Sequence, residues 1–196
     1  MTNNKFAAVA DVIRNRRSVG GAKMNGQKIA DETVMELLEL AHWAPTHGRT
    51  EPWQFFVYTG EALLQFGLDH GNLYWNNTPE ETRMQSIKEK LENNIKKVSH
   101  MVVSVMKRGT NEKIPHIEEV AAASAAIQNI LLGASAQGIA SFWSTGGMTL
   151  KPAMKEHLGL GSEDVVLGLI FLGYTDEPTK PGVRNSTPAD KVKWMN

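Results

Sequence analysis

The chain has no cysteine. Disulfides, thiolate nucleophiles and cysteine-ligated metals or iron–sulfur clusters are therefore excluded. It also lacks net charge, because 21 lysines and arginines balance 21 aspartates and glutamates. Such a balance gives no bulk attraction to nucleic acid or to an anionic membrane. The run Arg14-Asn15-Arg16-Arg17 is too short to form a basic face. No apolar stretch approaches the roughly 20 residues of a membrane-spanning helix. Met1-Thr2-Asn3-Asn4-Lys5 lacks the apolar core of a secretory signal, so the expected address is cytoplasmic. Nucleophile elbows of the Gly-x-Ser-x-Gly kind, phosphate loops of the Gly-x-x-x-x-Gly-Lys kind and Gly-x-Gly-x-x-Gly turns are all missing. None of the six histidines forms a His-x-His or His-x-x-x-His pair. His116 stands near Glu118 and Glu119, but acidic residues at a helix N-terminus explain that grouping, and no metal site is expected.

What is present is 41% hydrophobic residues in a length of 196. That fits one domain spanning residues 1–196, or a domain whose core a partner subunit completes. The most informative segment is Ala44-Pro45-Thr46-His47-Gly48-Arg49-Thr50-Glu51-Pro52-Trp53. Two prolines and a glycine mark a loop, yet it carries a histidine, an arginine, a glutamate and a tryptophan. A rigid polar loop between packed elements suits a charged planar ligand, and also suits a plain helix-to-strand connection.

Periodicity assigns the rest. Phe6, Val9, Val12 and Ile13 form the stripe of a first helix ending near Arg16-Arg17-Ser18. Asp31 reads as the N-cap of a second helix, whose stripe is Val34, Leu37, Leu38 and Ala41. Trp53–Tyr58 is strand-like, followed by a helix from Glu61 to Phe66 and an irregular excursion over 71–79 that holds Trp75. A polar helix is expected from Pro79 to Val98, with the narrow stripe Met84, Ile87, Leu91, Ile95, Val98. Met101–Met106 reads as a buried strand. Ile117–Gln137 is apolar nearly all round, so it must be buried on all sides, as a central helix or at a subunit interface. Strands at Ile139–Trp143 and Val165–Leu172 flank a short helix at Lys151–Leu158. The proline-bearing tail from Tyr174 to Asn196 should run extended over a surface.

Polar residues gather at the ends of these elements: Arg16-Arg17-Ser18, His47 and Arg49, Ser144-Thr145-Gly146-Gly147, and Arg184 in the tail. Adjacent arginines and a serine suit a phosphate through bidentate, charge-assisted contacts. A solvated helix end complementing the C-terminal dipole explains the arginines equally well, and Ser-Thr-Gly-Gly reads also as a turn. Trp53 and Trp143 are expected to pack in the core.

Taken in order, these segments resemble the FMN-dependent nitroreductase family. Arg16-Arg17-Ser18 is similar to its N-terminal Arg-Arg-Ser, and Ala44-Pro45-Thr46…Glu51-Pro52-Trp53 to its Ala-Pro-Ser…Gln-Pro-Trp loop. Gly138–Trp143 resembles its Gly-Leu-x-Ser-x-Trp strand, and Leu158-Gly159-Leu160…Leu172-Gly173-Tyr174 its closing Leu-Gly-Ile-Pro…Ile-Gly-Tyr. The compact length and the loop histidine look most like the small NAD(P)H nitroreductase subgroup.

The resemblance implies an α+β three-layer sandwich, a central mostly antiparallel sheet flanked by helices, built as an intertwined homodimer with FMN at the interface. By that likeness Arg16 and Ser18 hold the phosphate and ribityl end, with Arg17 nearby. His47 and Arg49 reach the cofactor, Ser144, Thr145 and Gly146 approach it from the other subunit, and Arg184 is the candidate basic residue of the C-terminal segment. The implied activity passes hydride from NAD(P)H through the flavin to a nitroaromatic or quinone by a ping-pong mechanism, with no side chain named as catalytic. The segment from Met84 to Val98, led in by Trp75, is expected to cap the substrate slot. Three positions depart from the family: Gly20 where many members have Arg or Lys, Arg49 for the usual Asn, and Glu51 for the usual Gln. The charge changes at Arg49 and Glu51 motivate a rival reading, a flavin-sequestering homodimer without significant turnover; a structural homodimer with an empty cleft is a second.

Overall fold

A computed structural model describes residues 4–178 and 180–195. Its centre is a sheet of four strands, β1 (Trp53–Thr59), β2 (His100–Met106), β3 (Ala140–Ser144) and β4 (Val165–Gly173), in the order β1-β2-β4-β3. Every neighbouring pair is antiparallel. The inner strand β2 is buried at every residue. Its side chains alternate between two cores, as the period of two requires. Val102 joins a core with α2 (Asp31–His42) and α5 (His116–Ala136). Met101, Val103 and Val105 join the other, with α3 (Gly60–Asn76) and α6 (Pro152–His157). The result is the expected α+β three-layer sandwich, with α1 (Asn4–Asn15) packed outside α5 and α4 (Gln85–Asn93) against α3.

The alternation skips once. Ser104 pairs with Gly168 but Val105 pairs with Val166, so Leu167 is one residue too many in β4. This bulge puts Val166 and Leu169, three apart, into the same core. Trp143 of the edge strand β3 crosses over the bulge and donates its indole N–H to the Leu167 carbonyl at 2.9 Å. Only glycine permits the crossing, since a Cβ at Gly168 would stand 2.1 Å from the indole nitrogen.

Several sequence expectations are corrected. The helix expected to stop at Phe66 continues to Asn76, so 71–76 is not an irregular excursion and Trp75 is helical. Its buried residues Leu63, Phe66, Gly67, His70, Gly71 and Tyr74 keep helical spacing throughout. Gly67 and Gly71 are places of close approach, where a Cβ would come within 2.7 Å of Ile95 and 2.8 Å of Glu92. Conversely, the helix expected over 79–98 is only α4, Gln85–Asn93. Residues near Pro79 form a turn in which Arg83 N–H donates to the Pro79 carbonyl, and Met84 N–H is taken by the Tyr74 hydroxyl at 2.9 Å. Asp31 is the first helical residue of α2, with Ala30 at the cap. It ties the sheet instead, through His100 Nε2 at 2.9 Å.

The burial expected all round α5 is only partial in one chain. Ala122, Ala123, Ala126, Ile127, Ile130 and Ala134 are buried, while Ile117, Ala121, Gln128 and Ala136 lie open. Helix α1 has no buried residue, and Phe6 is 71% exposed. Tyr174 and Thr175 are half-buried and the described tail from Asp176 on is exposed, with one turn at Pro188–Lys191 closed by a reciprocal Thr187–Asp190 cap; Thr179 and Asn196 lie outside the described residues. Among the described residues no helix is long and apolar enough to cross a membrane.

Gly168→Ala is expected to lower stability by about 2–3 kcal/mol through overpacking against Trp143. Trp143→Phe, which leaves the Leu167 carbonyl without the indole donor, should lower it by about 1 kcal/mol, both read from denaturant unfolding.

Candidate active site

A cleft of about 760 Å³ opens between α3, α4 and the end of β3. One rim is the segment after α1. Ser18 pairs with Ser141 as an isolated parallel bridge, and Val19 N–H donates to the Ser141 carbonyl at 2.9 Å. The chain then passes beneath α4 at Gly21, where any Cβ would collide with the Asn94 carbonyl at 2.1 Å. The opposite rim is Ser144-Thr145-Gly146-Gly147, where β3 ends. Phe142, Leu169 and Phe171 form the floor, while Ile87, Lys90, Leu91, Asn94 and Ile95 form the α4 wall. The expected cap segment thus does border a cleft. Trp75 does not; it lies under the Arg83 guanidinium at 4.2 Å.

His70 anchors the second rim from below. It is 5% exposed, and its Nε2 accepts the Met148 N–H at 2.9 Å, which places the imidazole proton on Nδ1. Gly147, at φ +63, must be glycine here, since a Cβ would meet His70 Nε2 and Leu91 at 2.7 Å. Burial, reinforced by the charge of His157, pulls the His70 pKa down to about 4. The ring is therefore neutral at pH 7 and suited to accepting that bond.

The sequence-derived candidates divide into groups. Ser18, Ser144, Thr145 and Gly146 come together in this one cleft, all within a single chain. Arg16 is half-buried beside Ser18 in sequence but outside the cleft lining. Arg17 is engaged with backbone: its guanidinium donates to the carbonyls of Arg14 (2.7 Å), Arg16 (2.9 Å) and Lys180 (2.9 Å), tying the tail to the end of α1. Arg184 is exposed in that tail and donates to its neighbour's carbonyl. His47 and Arg49 do not line the cleft. Their loop sits over the start of α5, with His47 Nδ1 2.6 Å from Glu118 Oε2, and Ala44 and Trp53 belong to the core on the other face of the sheet.

That loop is conformationally unusual. Gly48, Arg49 and Glu51 all have positive φ (59°, 55° and 46°). Left-handed backbone in two non-glycine residues is costly and is maintained by the surroundings. Here Thr46 Oγ1 accepts the Glu51 N–H, and Glu51 also lies 3.8 Å from His42.

Two other clusters resemble chemistry without offering it. Asp31, His100 and Ser99 form a row with 2.9 Å links, but the Ser99 hydroxyl is buried and accepts the Ile29 N–H at 2.7 Å. The row is a structural tie. Among the described residues no group of three His, Asp or Glu side chains is placed to hold a metal.

Sequence reasoning missed His70, Lys23, Lys90 and Asn94 as cleft residues. His70 fell outside every motif, and the others meet only when α4 folds over Gly21.

An antiparallel sheet between two helical layers, with a cleft where the first interhelical segment meets the end of an edge strand, is an α+β fold. The comparisons identify it. The nitroreductase family model matches residues 13–174, and the chain belongs to the nitroreductase family. A Bacillus subtilis relative, named "Putative NAD(P)H nitroreductase YfhC", is 28% identical over 185 residues, covering 94% of this chain and 92% of its own. A nitroreductase-like family protein from Bacillus cereus superposes with a TM-score of 0.81 at 27% identity, covering 95% of each chain. The fold is shared at lower identity, 16%, with the FMN-dependent nitroreductase NfnB of Mycobacterium smegmatis, solved in complex with NADPH; the TM-score is 0.76, covering 98% of this chain and all (100%) of that one.

His70 makes stability depend on pH. Its folded pKa lies below the unfolded value of 6.5, so its contribution is complete above pH 6.5 and is lost as pH falls toward 4. The loss reaches about 3 kcal/mol at most. His70→Gln, whose carbonyl can still accept the Met148 N–H, should flatten that part of a melting-temperature profile between pH 7 and pH 4. Arg49→Asn, better suited to the left-handed backbone, should raise stability by about 0.5–1 kcal/mol in the same assay.

Proposed function

We propose that the chain is an FMN-dependent oxidoreductase that works as a homodimer and carries reducing equivalents from NAD(P)H to a small electron-poor acceptor, a nitroaromatic or a quinone. The observation that carries this reading is the cleft joining Ser18 to Ser144-Thr145-Gly146 in a chain of this family. The names of the relatives, which specify NAD(P)H, FMN and nitroreduction, support it.

The residues present fit FMN. The floor of Phe142, Leu169 and Phe171 is apolar and suits a planar ring system, and no carboxylate lines the cleft to oppose an anionic ligand. Gly20 has nothing within 4 Å of a built Cβ, and Gly146 has only Ser144 Oγ at 3.9 Å, so backbone is open to a ligand at both rims. In this proposal Ser18 and Arg16 hold the phosphate and ribityl end, Ser144, Thr145 and Gly146 meet the ring edge, and Arg17 fixes the tail beside them. Ser18 and Ser144–Gly146 share a chain, so the second subunit contributes the His47–Arg49 loop in place of the Ser144 rim. The open apolar faces of α1 and α5 are the surfaces a partner subunit would cover. Arg184 stays a candidate for the phosphate through the tail.

The chemistry that FMN supplies when bound is two-electron transfer, so donor and acceptor use the same slot in turn. The chain binds and orients. The apolar floor excludes water beneath the ring, and neutral His70 keeps the Ser144–Gly147 rim in place while its own proton stays on Nδ1. No side chain is assigned as general acid, and solvent supplies protons. A cytoplasmic location is part of the same proposal.

The rival, a flavin-binding homodimer without turnover, draws on the charges at Arg49 and Glu51. Purified protein should carry one FMN per chain, be bleached anaerobically by NADH or NADPH, and regain its colour on adding a nitroaromatic. Flavin that stays oxidised with both nicotinamides would sink the reductase reading and leave sequestration. Ser18→Ala should weaken FMN binding about tenfold in a fluorescence titration, as expected for loss of a hydrogen bond to a charged group.

A further inference from the structure

The cleft contains two lysines and no carboxylate. They are not equivalent. Lys23 is paired with Glu177 at 2.8 Å on the tail. Lys90, an exposed residue of α4 that borders the cleft, has no ion pair or side-chain hydrogen bond among the described residues. Its helix neighbours are otherwise occupied, with Lys88 paired to Glu92 and Gln85 bonded to Glu89. The remaining ionisable group of the lining, His70, is neutral above about pH 4. Across the cleft stands Gly20, and no heavy atom lies within 4 Å of a Cβ built there.

The unpaired charge of this cleft therefore comes from α4. We propose that Lys90 supplies the unpaired positive charge of the active-site cleft, and that it favours the reduced form of the bound flavin. The proposal rests on the FMN reading above. A hydride from NAD(P)H, two electrons and one proton, leaves NAD(P)+ and adds one negative charge to the ring system. A cation held at the cleft wall stabilises that added charge more than the oxidised ring, and so raises the potential. Bringing a unit charge within several ångströms of another in a partly dry site changes an equilibrium by an order of magnitude or more. A cleft open to solvent places the effect at the lower end, about tenfold.

The test is the midpoint potential of the FMN-loaded protein, measured by equilibration with a reference dye. Lys90→Met should reduce the preference for reduced over oxidised flavin about tenfold, which is about 30 mV for a two-electron couple. Lys90→Arg should keep the parent value, because it preserves charge. Gly20→Lys introduced into Lys90→Met should restore most of the loss, since it returns a cation from the opposite rim. Lys113→Met, remote from the cleft, serves as the control for net charge. A potential unchanged in Lys90→Met overturns the proposal, as does a shift that Lys90→Arg shows equally or that Gly20→Lys does not repair. Protein that binds no FMN overturns the functional reading and this inference together, whereas bound FMN with an indifferent potential overturns this inference alone.

Discussion

The structure depends on the pairing of β2 with β4 at the Gly168 bulge. These two strands are the inner pair of the sheet, and their side chains feed both cores. A one-residue shift at Ser104/Val105 would turn the face of everything beyond it, so the register has to be fixed there. Trp143 fixes it by lying across Gly168 and bonding the Leu167 carbonyl. The same indole fastens the edge strand β3 to β4. Where β3 ends, Ser144–Gly147 is delivered to the cleft, so the packing of one tryptophan on one glycine sets both the sheet and one rim of the site.

The other rim and the wall follow from close backbone approach. Gly21 lies against the Asn94 carbonyl, Gly67 against Ile95 and Gly71 against Glu92. Together these bring the segment after α1, helix α3 and helix α4 within a few ångströms of each other. Gly147 does the same beneath the Ser-Thr-Gly-Gly turn, where His70 holds the backbone. The cleft is in effect a gap left between glycines, floored by aromatic and aliphatic side chains of the sheet. Its electrostatic character follows as well: the histidine is neutral by burial, one lysine is paired, and one is free to face a ligand.

Much of this was legible in the chain. The strands at 53–58, 101–106 and 165–172 came from period and run length, and the α+β class from the family resemblance; Ser144–Gly146 was picked out as a site segment, though expected from the other subunit. The errors have a common physical origin. Residues 71–79, polar and aromatic with Trp75, read as an irregular excursion, yet α3 continues to Asn76 and Gly71 serves helix-to-helix contact. The narrow stripe over 84–98 read as one long helix, but Ile95 and Val98 are buried at its end without continuing the turn. His70, Lys23, Lys90 and Asn94 left no motif, since residues that meet only across α3, α4 and the Gly21 segment carry no shared spacing.

The sequence by itself determined the absence of thiol chemistry, the alternating and helical periods that choose each element, and the family. Those properties are local or compositional, and each can be read within a short window. Tertiary structure alone decided that Ser18 and Ser144–Gly146 share one chain's cleft while His47 lies beyond the sheet, that Arg17 binds backbone, and that Lys90 lines the cleft. These placements depend on which distant segments approach, and that is set by packing against glycines and a bulge, which no single segment encodes.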